Sequence, residues 1–267
     1  VAAAPILAAA RIVIQMIVLL TNDDGIHAPG LYALYRALEA EHDLHVVAPE
    51  TEMSAVGHAI TLSSPIRVQE VRRNGSFYGY AVTGTPADCV KIAIQEIMES
   101  PPDVVLSGIN LGANVGVNIL YSGTVCAATE SAFMGVPAAA VSLATRRDPD
   151  FSFAAGFSRN ILSFIEAHGL KKGTALNVNI PAVAPDRIKG VCITRQGLSR
   201  FEERFERRSD PRGHVYYWLA GEKIIEDGNP DNDSVALLEG KITITPIHYD
   251  LTCDEEFERL KTLSISL

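Results

Sequence analysis

Apolar runs separated by polar turns recur along the first two thirds of the chain, alternating between strand-like and helix-like lengths. The run from Ile12 to Leu20 is rich in Ile, Val and Leu and lacks a two-residue alternation, the pattern of a strand covered on both faces of a parallel sheet. It stops at Thr21-Asn22-Asp23-Asp24-Gly25. Behind Pro29, the apolar residues of Leu31 to Leu38 recur at helical spacing, and Leu44 to Ala48 reads as a second strand. This β-α-β order predicts a right-handed parallel crossover. Ile66 to Val82, interrupted by Arg73-Asn74-Gly75-Ser76, predicts a β-hairpin. Thr85, Pro86 and Asp88 supply the N-cap, first turn and capping-box acid of a helix reaching about Met98.

Asp103 to Ser107, Val136 to Leu143 and Leu176 to Pro181 predict further strands, with helices over Val125 to Phe133 and Phe151 to His168. The sum is a doubly wound, mostly parallel α/β sheet. From about Ile188 the pattern changes. Val191 to Arg195, Phe201 to Arg208 and Gly213 to Leu219 read as extended β arms, and Lys241 to Pro246 as a strand before a helical tail. Asp231-Asn232-Asp233-Ser234 caps a short helix to Leu238 and lacks the ligand series of a calcium loop. The chain divides into a leader at 1–15, a core at 16–187, and a β-arm and C-terminal region at 188–267 that packs back on the core.

The chain has 267 residues, 47% of them hydrophobic, enough for a sizeable core. A formal charge of -9 argues against duplex nucleic acid as a partner, because phosphate backbones need a positive footprint. No apolar run reaches the roughly 18 residues of a membrane span. Residues Val1 to Ala10 imitate the end of a signal peptide but lack a basic start, and Met16 marks an alternative beginning. Cys89, Cys126, Cys192 and Cys253 have no zinc-ligand spacing and read as buried thiols in a reducing, cytoplasmic compartment.

Candidate chemistry lies where strands end. Adjacent Asp23 and Asp24 repel unless a cation sits between them, and hard oxygen donors favour Mg2+, Mn2+ or Ca2+; the same residues also make an ordinary turn. Ser54, in the long loop after the second strand, offers a hydroxyl to a metal or serves a turn. In Ser107-Gly108-Ile109-Asn110-Leu111-Gly112-Ala113-Asn114, the glycines let backbone approach a ligand. Asn110 and Asn114 there offer amide oxygens to a cation or N–H donors to phosphate. Ser122-Gly123-Thr124 opens a helix and forms either an anion site or a plain N-cap. Tyr216, Tyr217 and Trp218 suit a stacked base or, preferably, a subunit contact. Asn177 and Asn179 read as structural, and His248 as an isolated histidine outside the catalytic set.

In order along the chain, Asn22-Asp23-Asp24-Gly25, Ala28-Pro29-Gly30, Ala48-Pro49, Ser54 and Gly84-Thr85-Pro86 with Asp88-Cys89 resemble the SurE family of survival nucleotidases. The resemblance continues through Ser107-Gly108-Ile109-Asn110, Gly112, Asn114, Tyr121-Ser122-Gly123-Thr124 and Pro246-Ile247-His248-Tyr249-Asp250-Leu251-Thr252. It implies a Rossmann-like core with a C-terminal β-hairpin extension and a swapped tail, assembled as a homodimer or homotetramer. It also implies metal-dependent hydrolysis of nucleoside monophosphates by a phosphomonoesterase of the 5'-nucleotidase, acid-phosphatase-like type, with 5' or 3' phosphates as substrates.

By matching position, Asp23, Asp24, Ser54 and Asn110 would hold one divalent ion per subunit, Mg2+ or Mn2+. Asn114, Ser122, Gly123 and Thr124 would hold the phosphate, and Asp23, Asp24, Asn110 and Asn114 form the catalytic set. The ion would bind a phosphate oxygen and lower the pKa of a water. Asp23 or Asp24 would take that water's proton, or attack directly. The rival class is a metal-dependent nucleotide-binding protein without turnover; a structural oligomer explains neither Ser54 nor Asn110.

Overall fold

The computed structural model describes residues 15–145, 147–201, 204–220, 224–225 and 228–264. The leader before Gln15, the Ile12 to Ile14 portion of the first apolar run, and Glu202-Glu203 of the charged arm lie outside the described residues. Chain order gives β1 (Ile17–Thr21), α1 (Pro29–Leu38), β2 (Asp43–Pro49), β3 (Val68–Arg73), β4 (Ser76–Val82), α2 (Pro86–Ile92) and β5 (Val104–Leu111). There follow α3 (Gly123–Phe133), β6 (Ala138–Ala144), α4 (Ser152–His168), β7 (Thr174–Pro181) and β8 (Val191–Ile193). The rest is β9 (Arg200–Phe201), β10 (Arg204–Ser209), β11 (Val215–Ala220), β12 (Ile224–Ile225), α5 (Asp233–Leu238), β13 (Ile242–His248) and α6 (Asp254–Lys261).

Nine strands form one sheet in the order β3-β4-β2-β1-β5-β6-β7-β13-β8. From β4 to β7 every neighbouring pair is parallel, while β3 and β13 run antiparallel to β4 and β7. This is the expected Rossmann-like, mostly parallel sheet. Its central strands β1, β5, β6 and β7 are buried on both faces, which explains why β1 shows no alternation: Val18 and Leu20 join the core beneath α1 and α4, and Leu19 the core beneath α2 and α3. The C-terminal extension is the antiparallel β10–β11 hairpin, which is no part of the main sheet.

Two boundaries and the burial of two cysteines depart from expectation. Strand β5 continues past Ser107 through the glycine-rich segment to Leu111, because Gly108 and Asn110 still pair with Val141 and Ser142 of β6; Ile109 is the extra residue between them. The helix begun at Pro86 gives way to a π-helical turn, Ala93–Ile97, where Met98 N–H donates to the Ala93 carbonyl at 2.9 Å. The cysteines are all free, but only Cys89 and Cys126 are buried; Cys192 is half-buried and Cys253 exposed, since strand β8 and the tail leave them uncovered.

The capping box at α2 does more than start a helix. The Thr85 hydroxyl accepts from Asp88 N–H at 3.1 Å, and Asp88 accepts from Thr85 N–H at 2.9 Å. The same buried carboxylate takes the Thr61 hydroxyl at 2.6 Å and the Thr61 N–H at 3.1 Å. It thereby fastens the loop that carries Ser54. Asp88→Ala removes the cap acceptor and strands these donors, and is expected to cost about 2–4 kcal/mol in urea unfolding. A change below about 0.5 kcal/mol, the range of an ordinary surface substitution, would contradict this role.

Candidate active site

From β1 the chain crosses to β2 on one side, and from β5 to β6 on the other, so β1 and β5 flank the point where strand order reverses. A crevice opens beyond the strand ends at such a point. Strand β1 delivers Asn22, Asp23 and Asp24 there, and β5 delivers Asn110. Asn22 is fully buried and makes the turn: its Nδ2 donates to the Gly25 carbonyl at 3.0 Å and its Oδ1 accepts from Gly25 N–H at 3.2 Å. Turn and site therefore coexist, with Asn22 and Gly25 closing the chain and Asp23 turned to the crevice.

The crevice is a cavity of about 580 Å³ lined by Asp23, Ser54, Asn110, Asn114 and Ser122, five of the residues expected from sequence. Asp24 is outside that lining but tied to it, accepting from Leu111 N–H at 3.4 Å. Gly123 and Thr124 lie behind Asp23. The Thr124 hydroxyl donates to Asp23 Oδ1, and the Gly123 and Thr124 amides are directed at the same carboxylate, so the α3 N-terminus addresses Asp23 directly. The approach requires glycine: a Cβ on Gly123 would lie 2.7 Å from Asp23 Cβ and 3.0 Å from Pro86 Cγ.

The remaining candidates are held by backbone. Met53 N–H donates to the Asp23 carbonyl at 2.7 Å, which brings the adjacent Ser54 to the strand end, and Ser54 Oγ donates to Glu52 at 2.6 Å. The extra residue Ile109 in β5 shifts the strand register just before Asn110, the usual effect of a bulge beside a site. Asn110 Nδ2 then donates to the Gly112 carbonyl at 2.8 Å, which leaves its Oδ1 as the atom to meet a ligand. Asn114 is scaffolded by the two buried asparagines of β7. Asn179 Oδ1 accepts from its N–H at 2.8 Å, and the Asn177 and Asn179 amides donate to its carbonyl at 2.8 and 3.0 Å. The structural reading of Asn177 and Asn179 thus has a specific content.

Burial pushes the Asp23 carboxyl up, against the lowering effect of Thr124 and the helix amides. Burial first, then the neighbouring Asp23 and Glu52 charges, push Asp24 up to about 6. Among the described residues, no cluster of three or more His, Cys, Asp and Glu is able to hold a metal. A cation here would depend on a mixed set of hard oxygens: Asp23, Asp24, the Ser54 hydroxyl and the Asn110 amide. Two adjacent carboxylates that disfavour their own charge fit such an ion.

The lining also includes Asn118, Tyr121 and Leu219, which sequence reasoning did not assign. Tyr121 stood beside the Ser-Gly-Thr motif and was within reach. Leu219 belongs to the β10–β11 hairpin, and only the fold brings it here. His248 lines a different cavity, together with His58 and Asp250.

A family model described as "Survival protein SurE" matches residues 18–203. The "5'-nucleotidase SurE" of Syntrophobacter fumaroxidans (strain DSM 10017 / MPOB) is 56% identical over 93% of this chain and 98% of that protein. That of Syntrophus aciditrophicus (strain SB) is 55% identical over 92% of each. Among solved structures, the SurE protein from Aquifex aeolicus superposes with a TM-score of 0.81 at 38% identity, covering 92% of this chain and 98% of that one.

A carboxyl that folding raises binds its proton more tightly in the native state. Stability contributed by Asp24 is therefore present below its ordinary value of 3.8 and lost as pH rises towards about 6. In protein stripped of divalent cations with EDTA, Asp24→Asn is expected to raise stability by about 1 kcal/mol near pH 7.5, after solvent screening, and by far less near pH 4. Thermal unfolding at both pH values checks this; an equal effect at the two would contradict it.

Proposed function

This chain belongs to the SurE family, and from that premise we propose that it is a metal-dependent phosphomonoesterase that cleaves nucleoside monophosphates to nucleoside and inorganic phosphate. The observation that carries the reading is buried Asp23 with its half-buried neighbour Asp24 at the strand-reversal point, beside a cavity whose polar walls include Ser54, Asn110, Asn114 and Ser122. Relatives named as 5'-nucleotidases support turnover over binding alone, and 5' monophosphates as the first substrates to test.

In this reading Asp23, Asp24, Ser54 and Asn110 hold one divalent ion, Mg2+ or Mn2+. Bound there, the ion supplies charge neutralisation at phosphate and acidifies water. The chain's own residues orient and hold protons. Ser122 Oγ accepts from Val125 N–H at 3.1 Å, so its hydroxyl hydrogen is left to donate to a phosphate oxygen. Asn114 Nδ2 spends one hydrogen on Ser142 Oγ at 2.9 Å and keeps the other for the same purpose. Thr124 locks the orientation of Asp23 through Oδ1, and the α3 N-terminus places positive potential beside the phosphate. Asp23 or Asp24 accepts the proton of the attacking water.

The same proposal extends to assembly and compartment. The core at 16–187 carries the site, and the region from 188 supplies contacts for a homodimer or homotetramer with exchanged tails. In support, α6 has no buried residue, Phe257, Leu260 and Leu263 are exposed, and Tyr216, Tyr217 and Trp218 on the hairpin are exposed as well. Four free cysteines suit the cytoplasm. Among the described residues, no helix is long and apolar enough to cross a membrane.

The test is inorganic phosphate release from 5'-AMP, 5'-GMP, 3'-AMP and an aryl phosphate with Mg2+, Mn2+ or EDTA. Release is expected only with metal, and Asp23→Asn is expected to lower it by about 100-fold or more. Gly123→Ala, which forces Asp23 aside, is expected to lose about 100-fold. Metal-dependent nucleotide binding without any release would replace hydrolysis with a binding function.

A further inference from the structure

Asp233 is wholly buried, yet it does not act as the helix cap that its sequence context predicts. Asn232 is the N-cap of α5 and makes no side-chain capping bond. Asp233 reaches instead to two distant stretches of backbone. Its Oδ2 accepts from Gly116 N–H at 3.0 Å, and its Oδ1 accepts from Gly197 N–H at 3.1 Å and Ser234 N–H at 2.8 Å. Burying a carboxylate is costly unless hydrogen bonds compensate, and here backbone amides supply them.

What Asp233 grips is the turn that follows Asn114. Gly116 is pressed against the segment before the β10–β11 hairpin: a Cβ there would overlap Ser199, Val117 N–H donates to the Ser199 carbonyl at 3.0 Å, and Gln196 Nε2 donates to the Gly116 carbonyl at 3.1 Å. Asn114 is thus held from two sides, by Asn177 and Asn179 of β7 on one, and by Asp233 through Gly116 on the other. The residues flanking the hairpin, 195–199 and 232–233, meet at this point, and Leu219 of the hairpin itself lines the cavity.

We propose that Asp233 is a positioning residue for phosphate binding: by joining Gly116 to Gly197 it holds the 112–118 turn, and with it the Asn114 side chain, at the cavity wall. The proposal rests on the reading of that cavity as the phosphomonoester site. It assigns Asp233 no contact with substrate.

The decisive experiment combines Asp233→Asn, which turns an N–H against the gripped amides, with Asn114→Ala. Asp233→Asn alone is expected to lower kcat/KM for 5'-AMP by about 10- to 100-fold, mainly through KM. In the double variant the loss is expected to match Asn114→Ala alone within about twofold, because one acts through the other. Losses that multiply would overturn the proposal. Hydrogen–deuterium exchange gives a readout that needs no turnover: Asp233→Asn is expected to deprotect 112–118 while β1 and β6 stay protected. Unchanged protection of 112–118 overturns the proposal, and an inactive wild type with deprotected 112–118 in the variant overturns only the enzymatic reading. If Asp233→Asn does not fold, Gln196→Ala loosens the same turn more gently. It is expected to show a severalfold loss with the same non-additivity; a full multiplicative loss there overturns the proposal.

Discussion

Keeping two neighbouring carboxylates at the end of a buried strand is the constraint on which the rest of the site depends. Asp23 is 5% exposed; burial opposes the charge of both acids, and for Asp24 the Asp23 charge adds to it. The fold answers with directed dipoles. The start of α3 faces Asp23, the Thr124 hydroxyl fixes one oxygen, and the β5 backbone offers Leu111 N–H to Asp24. These contacts orient the acids without neutralising them, which leaves a local demand for positive charge that the proposed divalent ion would meet.

Polar residues, and not apolar packing, set the loops around that pair. Asp88 fastens the Ser54 loop to α2, Asn177 and Asn179 suspend Asn114 from β7, and Asp233 ties the following turn to the base of the hairpin. Each is buried and far in sequence from what it holds. Buried polar groups hydrogen-bonded to backbone specify one geometry, whereas apolar contacts tolerate sliding. The apolar cores on the two sheet faces supply the rigid frame against which this specification is made.

Much of this was legible in the chain. The unalternating β1, the Thr85-Pro86-Asp88 start of α2 and the hairpin at Asn74-Gly75 each follow from local rules, and all hold. Asp23, Ser54, Asn110, Asn114 and Ser122 do converge on one cavity, because strand-end positions in a parallel sheet share one edge. Less legible were features created by pairing. The length of β5 depends on β6 continuing beside it, and the place of Leu219 depends on the hairpin folding back. Asp233 stands in the run Asp231 to Ser234 that reads as a helix cap; its partners lie at Gly116 and Gly197, and spacing along the chain gives no sign of them.

The position of β13 bears on how the molecule assembles as it is made. Residues 242–248 lie between β7 and β8, so neither strand has its sheet partner on that side until a late part of the chain has emerged. During synthesis the parallel half of the sheet is able to form first, with β7 as an open edge, and β8 waits unpaired. An uncovered strand edge is a template for pairing with other chains. The polar Thr243 and Thr245, buried once β13 docks, make that closing strand less prone to self-association than an all-apolar one while it waits. Completing the sheet with the last of its strands in chain order thus couples the integrity of the Asn177–Asn179 scaffold to arrival of the C-terminal region.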